Sequence, residues 1–293
     1  VLLVPALGGP ERKLAEIYRA PTYSGPPAWS PDGKHLVVAA RGVPQEPSAL
    51  FLISVETGEM RKLLDPPPNS IGDAGAAFSP DGRNLAFSRS LSFSVTDLYL
   101  LPLTAGLQAD RPPQRLTFDN RVSISPAWTP VGRSIVYVSD RTGSLALWRI
   151  SPSSPGKPER IPSIGEDAAS VAFSRRAPHR LAYEVSRTDR NIRRLTLPAA
   201  SAEIFLSSTL FDSSPRYSPD ARRIAFTSGR SGHLEIWTAD ADGSNAAALT
   251  SFDGPRTDLP NWSPDGRRLA FHSRPQGEAR ISPLTPTAAS PGS

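Results

Sequence analysis

Cysteine is absent from this sequence of 293 residues, and methionine (one) and histidine (four) are scarce. The absence of cysteine excludes disulfides, thiolate zinc sites and a cysteine nucleophile. The histidines show no spacing typical of a metal site, such as a pair on one helical turn; they are His35, His179, His233 and His272. We therefore expect neither a metal ion nor a cofactor.

The sequence also lacks a large excess of charge of one sign, and it lacks long apolar runs. Lysine and arginine number 33 against 28 aspartate and glutamate, a formal net charge of +5, which is too thin a surplus to indicate a nucleic-acid-binding domain. No stretch approaches the roughly 18 apolar residues of a transmembrane helix, and no basic-then-apolar leader is present. We expect no nucleic-acid binding by this segment and no membrane insertion. Because the chain starts at Val1 rather than methionine, we expect a segment to precede it.

What the sequence does contain is a repeated phrase, an aromatic residue followed by Ser-Pro-Asp-Gly and a basic residue. Its copies are 44 to 50 residues apart, the fourth is degenerate, and they begin at Trp29, Phe78, Trp128, Phe173, Tyr217 and Trp262. Proline, aspartate and glycine in this order favour a tight turn, because proline presets φ and glycine accepts a positive φ. The period is typical of one four-stranded propeller blade. We expect the aromatics to pack between blades and the turns to be structural.

Short apolar runs after each turn are typical of second strands, and alternating and shorter runs further on are typical of third and fourth strands. Examples from the second repeat are 85–87, 98–100 and 114–117. The sequence therefore predicts an all-β fold, a six-bladed β-propeller of four-stranded antiparallel blades. We expect one monomeric domain over residues 1–287 and a disordered tail at 288–293.

The two termini predict how the last blade is completed. Residues 1–4 and 11–14 read as a third and a fourth strand without the first two. We expect such N-terminal strands to close the blade that begins at Trp262. A second candidate for its third strand, Ala279 to Ile281, competes with Val1 to Val4, and the sequence leaves this choice open.

These repeats resemble the TolB-like propellers, the bacterial PD40 or WD40-like repeat family. The loops Ser139–Gly143 and Ser228–Gly232 match the family's Ser-x-Arg-x-Gly pattern, and Asp240–Asn245 followed by Leu249 and Thr250 is similar to its turn between third and fourth strands. The similarity covers residues 1–287. It implies a sensing or scaffolding module within a larger bacterial protein. It favours a periplasmic or otherwise extracytoplasmic location, with a cytoplasmic one left open.

Two relatives of that family leave alternatives open. One is the propeller that gates prolyl-oligopeptidase-type serine peptidases, and the other is the periplasmic interaction protein of the Tol-Pal system. The sequence has no Gly-x-Ser-x-Gly nucleophile elbow, so the hydrolase domain of the peptidases is not in this segment. A glycosidase or other hydrolase site in the propeller mouth needs paired carboxylates or a nucleophile that sequence cannot place. We expect a protein that is not an enzyme.

A recurrent arginine is the candidate binding feature. It lies 11 to 14 residues after each repeat aromatic, in the loop between second and third strands, at Arg41, Arg89, Arg141, Arg187, Arg230 and Arg274. All six are expected on one rim, where their planar forks suit a carboxylate or phosphate. The loops that enter the first strands reach the same rim and carry Asp73, Asp119, Asp167, Asp212 and Asp258.

These residues support two interpretations. Arginine–aspartate pairs between neighbouring blades would neutralise the rim and join the loops. Alternatively, the rim binds a protein partner or a small anionic ligand, with the sector of Arg187 and Arg274 as first choice. The function that the sequence predicts is a non-catalytic binding module that acts through this rim.

Overall fold

The computed structural model describes residues 1–5, 7, 9–19, 25–92, 95–162, 167–175, 177–186, 190–195, 202–252, 257–273 and 280–284. Every regular element in these residues is a β-strand, which confirms the predicted all-β class. None of the described segments forms a helix that could cross a membrane. The chain divides into two compact units, Val1–Ser186 (unit 1) and Arg187–Ser293 (unit 2).

Unit 1 contains three larger sheets and two hairpins in its described part. The first sheet consists of β3 (Tyr18–Arg19), β4 (Ala28–Trp29), β5 (His35–Arg41), β6 (Ala49–Ser54) and β7 (Met60–Lys62). The second consists of β8 (Gly72–Phe78), β9 (Asn84–Ser92), β10 (Val95–Pro102) and β11 (Gln114–Arg115). The third consists of β12 (Ser123–Trp128), β13 (Ile135–Ser139), β14 (Ala146–Ile150) and β15 (Glu159–Arg160). The hairpins are β1 (Leu2–Leu3) with β2 (Arg12–Lys13), and β16 (Ala168–Phe173) with β17 (Leu181–Val185).

Unit 2 repeats the same plan. A hairpin consists of β18 (Ile192–Leu195) and β19 (Ala202–Leu206). A four-stranded sheet consists of β20 (Asp212–Tyr217), β21 (Arg223–Ser228), β22 (Glu235–Asp240) and β23 (Ala247–Ala248). A three-stranded sheet consists of β24 (Asp258–Trp262), β25 (Leu269–Ser273) and β26 (Arg280–Leu284).

The four-stranded sheets have their strands in sequence order, each antiparallel to the next. Their second and third strands bury most of the large apolar side chains, and Phe87, Tyr137 and Phe226 are fully buried. The fourth strands β11, β15 and β23 have only two residues, so little unpaired strand edge is exposed. The predicted second, third and fourth strands of these repeats are confirmed.

The Ser-Pro-Asp-Gly phrase forms the tight turn between first and second strands. Gly33, Gly82 and Gly266 have φ values of 72°, 72° and 68°, in the region that glycine adopts without steric cost. In the first of these turns Asp32 Oδ1 accepts hydrogen bonds from the Ser30 hydroxyl (2.5 Å) and the Lys34 N–H (3.0 Å). These turns therefore have the structural role that the sequence predicts.

Neighbouring sheets within a unit are joined by backbone bridges at the opposite end. Ser48, before β6, bridges Gly72 at the start of β8, and the Asp73 N–H donates to the Ser48 carbonyl (2.6 Å). A Cβ on Gly72 would lie 2.1 Å from that carbonyl oxygen, so only glycine permits the approach. Thr96 with Val122, and Arg190 with Phe211, form equivalent bridges.

The repeat aromatics are not all buried as predicted. Phe78 and Trp128 are buried, and the Trp128 indole N–H donates to the Ala77 carbonyl of the preceding sheet (3.1 Å). Trp29 and Tyr217 are 42% and 48% exposed. In each unit, the sheet that contains this exposed ring is the first described sheet with four or more strands. No earlier described sheet of that size in the same unit therefore covers the ring.

The competition for the third strand of the last sheet also has an answer in the structure. β26, which overlaps the candidate at Ala279 to Ile281, pairs with β25, whereas Leu2–Leu3 pairs with Arg12–Lys13. Of the two candidates that the sequence left open, the segment with Arg280 and Ile281 therefore forms this third strand, and closure of the last blade by N-terminal strands stays a prediction. The predicted tail at 288–293 and Ala279 lie outside the described residues. A single domain over 1–287 stays a prediction.

Candidate functional site

Four of the six recurrent arginines are described, and each lies where a second strand ends. Arg41 and Arg89 belong to β5 and β9, while Arg141 and Arg230 follow β13 and β21. The aspartates lie where first strands begin, because Asp73, Asp212 and Asp258 belong to β8, β20 and β24, and Asp119 and Asp167 precede β12 and β16. We call this end of a sheet its arginine end and the opposite end its turn end. Arg187 and Arg274 lie outside the described residues.

Arg89 and Asp73 form a buried ion pair within one sheet. Arg89 Nε and Nη2 donate to the two carboxylate oxygens of Asp73 at 2.6 and 2.9 Å, and the side chains are 9% and 0% exposed. The guanidinium also lies 5.4 Å from the ring centre of Phe87 and 4.9 Å from that of Tyr99. Burial raises the pKa of Asp73, and the hydrogen bonds from Arg89 oppose that shift. Each carboxylate oxygen of Asp73 therefore accepts a hydrogen bond from Arg89.

Arg230 and Asp212 form the corresponding pair in unit 2. Arg230 Nη2 donates to Asp212 Oδ2 (2.9 Å), and the Ser228 hydroxyl donates to Oδ1 (2.6 Å). The Arg230 guanidinium stacks near the rings of Phe226 and Trp237. Both oxygens of Asp212 are thus satisfied, as those of Asp73 are.

Arg141 and Asp119 form a looser pair. Arg141 Nε lies 3.3 Å from Asp119 Oδ2, with side-chain exposures of 23% and 21%. Among the described residues, neither carboxylate oxygen of Asp119 has a hydrogen-bond partner, and neither has Arg141 Nη1. The guanidinium lies 4.7 Å from the ring centre of Trp148, whose buried indole N–H is also without a described partner. In the Arg230 pair, Arg230 Nε and the Trp237 indole N–H also lack a described partner, so the Arg141 pair differs in its aspartate, neither oxygen of which has one.

The remaining predicted residues have other surroundings. Arg41 donates from Nη1 to the Pro44 carbonyl (2.5 Å), and no aspartate pairs with it among the described residues. The Asp167 carbonyl accepts the Ser186 N–H (2.8 Å), and Asp258 lies opposite His272 in the β24–β25 ladder.

In each of the three described pairs the aspartate lies in or just before the first strand and the arginine lies in or just after the second strand of one sheet. The expectation of pairs between neighbouring blades is therefore wrong for them. The reason is the antiparallel register, which places the start of a first strand beside the end of the second. Asp73 is directly opposite Arg89 in the β8–β9 ladder, and Asp212 is opposite Ser228, two residues before Arg230. Each pair therefore closes the arginine end of its own sheet.

Sequence reasoning missed the aromatic pair beneath each arginine. Phe87 with Tyr99, Tyr137 with Trp148, and Phe226 with Trp237 are direct cross-strand partners. A cation over an aromatic ring is stabilised by the ring quadrupole. The signal was available, since an aromatic residue of the second strand precedes each of these arginines by two or four positions.

A second missed feature is an acid on the third strand held by a threonine. Asp97 accepts Arg115 Nη2 (2.7 Å) and the Thr117 hydroxyl (2.9 Å), and that hydroxyl accepts the Leu98 N–H (3.0 Å). In unit 2 the Thr250 hydroxyl donates to Glu235 and accepts the Ile236 N–H (2.9 Å). The recurring Leu-Thr dipeptide at 116–117 and 249–250 was the available signal.

A recess of about 180 Å³ adjoins the loose pair at the arginine end of the third sheet. It is lined by Thr117, Phe118, Asp119, Arg141, Gly156 and Pro158. Phe118 is 54% exposed, and the Arg115 guanidinium stacks 4.9 Å from its ring centre. An exposed aromatic residue therefore borders this recess beside the loose pair, whose unpartnered atoms are themselves buried. We call this set of lining residues the Arg141 recess.

Ionisation near the Arg141 recess is shifted by burial. Burial raises the pKa of Asp140 to about 6, although its Oδ1 accepts the Val122 N–H (2.8 Å). Burial also raises the pKa of Tyr137, and the charge of Arg141 opposes this shift. The described residues contain no group of three histidine, aspartate or glutamate side chains arranged to hold a metal ion.

Comparison with known proteins identifies the family of this chain. The model of the PD40 family, the TolB beta propeller domain, matches residues 27–215, more than half of the chain. The chain belongs to this family. The resemblance carried by the Ser-Pro-Asp-Gly repeats is thereby confirmed, while the number of blades in this PD40 chain stays a prediction.

Individual relatives of the PD40 chain are distant. An uncharacterized protein of Agrobacterium fabrum is 27% identical over 239 residues, 82% of this chain and 62% of that protein. The chain thus spans about three fifths of the length of this curated relative.

Solved structures similar to the PD40 chain include TolB from Acinetobacter baumannii, with 20% identity over 97% of this chain and 56% of that chain and a TM-score of 0.44. A putative TolB from Agrobacterium tumefaciens has 22% identity, coverages of 88% and 80%, and a TM-score of 0.36. An oligogalacturonate lyase from Vibrio parahaemolyticus has 12% identity, coverages of 96% and 95%, and a TM-score of 0.43.

Proposed function

We propose that this PD40 chain is a non-catalytic binding module that contacts a protein partner through the Arg141 recess. The observation that carries the proposal is an exposed aromatic residue stacked on a guanidinium beside the recess. Phe118, which lines the recess, is 54% exposed, and the Arg115 guanidinium lies 4.9 Å from its ring centre.

The arginines do not favour a general anion-binding rim. Arg89 is 7% exposed, and its Nε and Nη2 already donate hydrogen bonds to Asp73. Arg141 lies beside a carboxylate of opposite charge, so an anion that approaches it is repelled by Asp119. A protein loop fits better than a small anionic ligand, because it presents polar and apolar groups together.

Phe118 gives the proposed surface an anchor. Phe118 is 54% exposed, and the Arg115 guanidinium stacks on its ring. Aromatic residues and arginine supply most of the affinity in protein interfaces when they become desolvated. Phe118 and Arg115 together are therefore the residues of this end that are most suited to contact a partner.

A catalytic role has no specific observation in its favour. Thr117 supplies the hydroxyl nearest the recess, and it is 1% exposed and held between Asp97 and the Leu98 N–H. The alternative functions, a gating propeller of a serine peptidase and a Tol-Pal interaction protein, stay predictions, and so does a periplasmic location.

The test is a peptide selection followed by affinity measurements. A phage-displayed library of random peptides is panned against the immobilised chain, and selected peptides are measured by calorimetry. We expect Phe118→Ala to weaken the peptides about tenfold or more, equivalent to about 1.4 kcal/mol. The variant should keep the melting temperature, because its ring is largely exposed.

Val131→Ala is the matched control. Val131 is 68% exposed and lies before β13, at the turn end of the third sheet, whereas Arg141 of the recess follows β13 at the arginine end. The control should leave the affinity unchanged. Peptides that depend on Val131 and not on Phe118 would contradict the proposed surface.

A further inference from the structure

Lys157 lies at the edge of the Arg141 recess. It stands between Gly156 and Pro158, which both line the recess, and it is exposed. The Gly156 N–H donates to the Leu116 carbonyl (2.8 Å), and a Cβ on Gly156 would lie 3.4 Å from Phe118 Cδ2. Consecutive Cα atoms are about 3.8 Å apart, so Lys157 follows directly on the backbone that lies against the Phe118 ring.

The other charges around the recess balance one another. Arg121 and Asp140 add one charge of each sign, and the charge of Arg121 opposes the rise in the pKa of Asp140 that burial causes. Two further acids form ion pairs, Asp119 with Arg141 (3.3 Å) and Asp97 with Arg115 (2.7 Å). One positive charge, that of Lys157, therefore remains at the edge of the recess.

The four lysines of the chain differ in their neighbours. Three of them interact with an acid two or three positions away, namely Lys13 with Glu16, Lys34 with Asp32 and Lys62 with Asp65. The acid nearest to Lys157 in sequence is Glu159, which pairs with Arg149 across the β14–β15 ladder (2.6 Å). Within the part of the chain that the structure describes, no carboxylate forms an ion pair with Lys157.

An uncompensated ammonium beside an exposed aromatic residue sets the chemistry of a complementary loop. An acid alone would gain little, because an exposed ion pair contributes little to affinity in water. An apolar side chain on Phe118 adds the burial that such a pair lacks. An acid next to it would be steered toward the positive charge, which raises the association rate and selects against basic partners.

We propose that the partner's loop carries an aspartate or glutamate that pairs with Lys157, next to the apolar side chain that packs on Phe118. This inference rests on the proposed protein-binding function and names the chemical class of the partner, an acidic loop with an apolar anchor.

The phage-displayed library of random peptides is the probe for the first experiment. It is panned against the full chain and against its Phe118→Ala and Lys157→Glu variants. We expect the peptides that are lost with Phe118→Ala to contain aspartate and glutamate more often than the unselected library. Lys157→Glu should remove this preference, because it replaces the attracting charge by a repelling one.

Lys34→Glu is the matched control. It changes the formal charge by the same amount, but Lys34 lies just before β5, at the turn end of the first sheet. The acidic preference should persist in this variant, which excludes the net charge of +5 as its source. Both lysines are exposed, so both variants should keep the melting temperature. The absence of an acidic preference among Phe118-dependent peptides, or its equal loss in the two lysine variants, would overturn the inference.

Calorimetry then tests the pair directly with a selected Phe118-dependent acidic peptide. Lys157→Ala in the chain, or replacement of the acid by its amide in the peptide, should each weaken binding about two- to fivefold. The two changes together should weaken it no further than one alone. The difference should vanish when NaCl is raised from about 0.1 to about 1 M, because the Debye length falls from about 10 to about 3 Å. Losses that add, or that salt leaves unchanged, would overturn the inference.

These outcomes separate the inference from the proposed function. If binding depends on Phe118 but not on Lys157, the acidic-loop inference fails and the proposed function stands. If no selected peptide depends on Phe118, the proposed function fails and the inference fails with it.

Discussion

Arg89, Arg141 and Arg230 occupy corresponding places but differ in how completely their charge is neutralised. Arg89 has two short hydrogen bonds to one carboxylate, and Arg230 shares its carboxylate with a serine hydroxyl. Arg141 has a single 3.3 Å approach to Asp119. Asp73 and Asp212 therefore have both carboxylate oxygens bonded, whereas neither oxygen of Asp119 has a described hydrogen-bond partner.

Two isosteric substitutions measure that difference. Asp73→Asn leaves a buried guanidinium without a charged partner and should lower the free energy of unfolding by about 3 kcal/mol or more. Asp119→Asn should change it by about 1 kcal/mol at most, because this pair is loose and partly exposed. Urea unfolding of both variants in one buffer makes the comparison. Equal losses would show that Asp119 is as structural as Asp73.

The sequence predicted the pairing of arginine with aspartate because both recur at fixed offsets from the repeat aromatic. It could not predict which pair is loose. That property depends on where Asp119 lies, four residues before β12, whereas Asp73 and Asp212 lie within β8 and β20 opposite the second strand.

At the scale of elements, the turn after each first strand shows how the residue at one position changes the hydrogen bonds of a repeat. In the second repeat, Asp81 Oδ1 accepts the Ser79 hydroxyl (2.5 Å) and the Arg83 N–H (3.1 Å), and these bonds lower the pKa of Asp81. In the third repeat Val131 stands at this position and is 68% exposed. Its turn still closes through the Gly132 N–H on the Thr129 carbonyl (2.8 Å).

Val131→Asp should restore the missing hydrogen bonds. We expect the free energy of unfolding at pH 7 to rise by about 0.5–1 kcal/mol, since the new carboxylate can accept the Thr129 hydroxyl and the Arg133 N–H. The turn would lower the carboxyl pKa in the folded state, so the gain is present above about pH 4 and is lost as pH falls further. Val131→Ala is the control, and equal stability of the two variants at pH 7 would contradict the expected bonds.

Strands and turns were the most predictable elements, because apolar alternation and Ser-Pro-Asp-Gly chemistry are local. The bridges between sheets were not predictable. Gly72 reads as an ordinary glycine before a strand, and only the approach of Ser48 explains why a Cβ cannot be placed there. The exposure of Trp29 and Tyr217 was not predictable either, because it depends on which sheets pack against these rings.

At the scale of the whole molecule, the N-terminal hairpin is an integral part of unit 1. The Leu14 N–H donates to the Val1 carbonyl (2.9 Å). Leu14 is buried in one cluster with Val38 of β5 and Phe51 of β6, and Leu3 packs against that cluster. Burial of apolar surface contributes about 25 cal/mol per Å², so these contacts stabilise the first sheet directly.

Deletion of residues 1–14 should therefore expose the apolar residues of β5 and β6. Hydrogen exchange resolved by mass spectrometry compares the shortened chain with the full one. We expect faster exchange in β5 and β6, because their cover is removed, and unchanged protection there would contradict the packing of the hairpin. Protection of β24, β25 and β26 tests the predicted single propeller separately. Faster exchange in those strands as well would support closure of the last blade by N-terminal strands. Unchanged exchange would contradict that closure, because β26 would then complete the sheet without them.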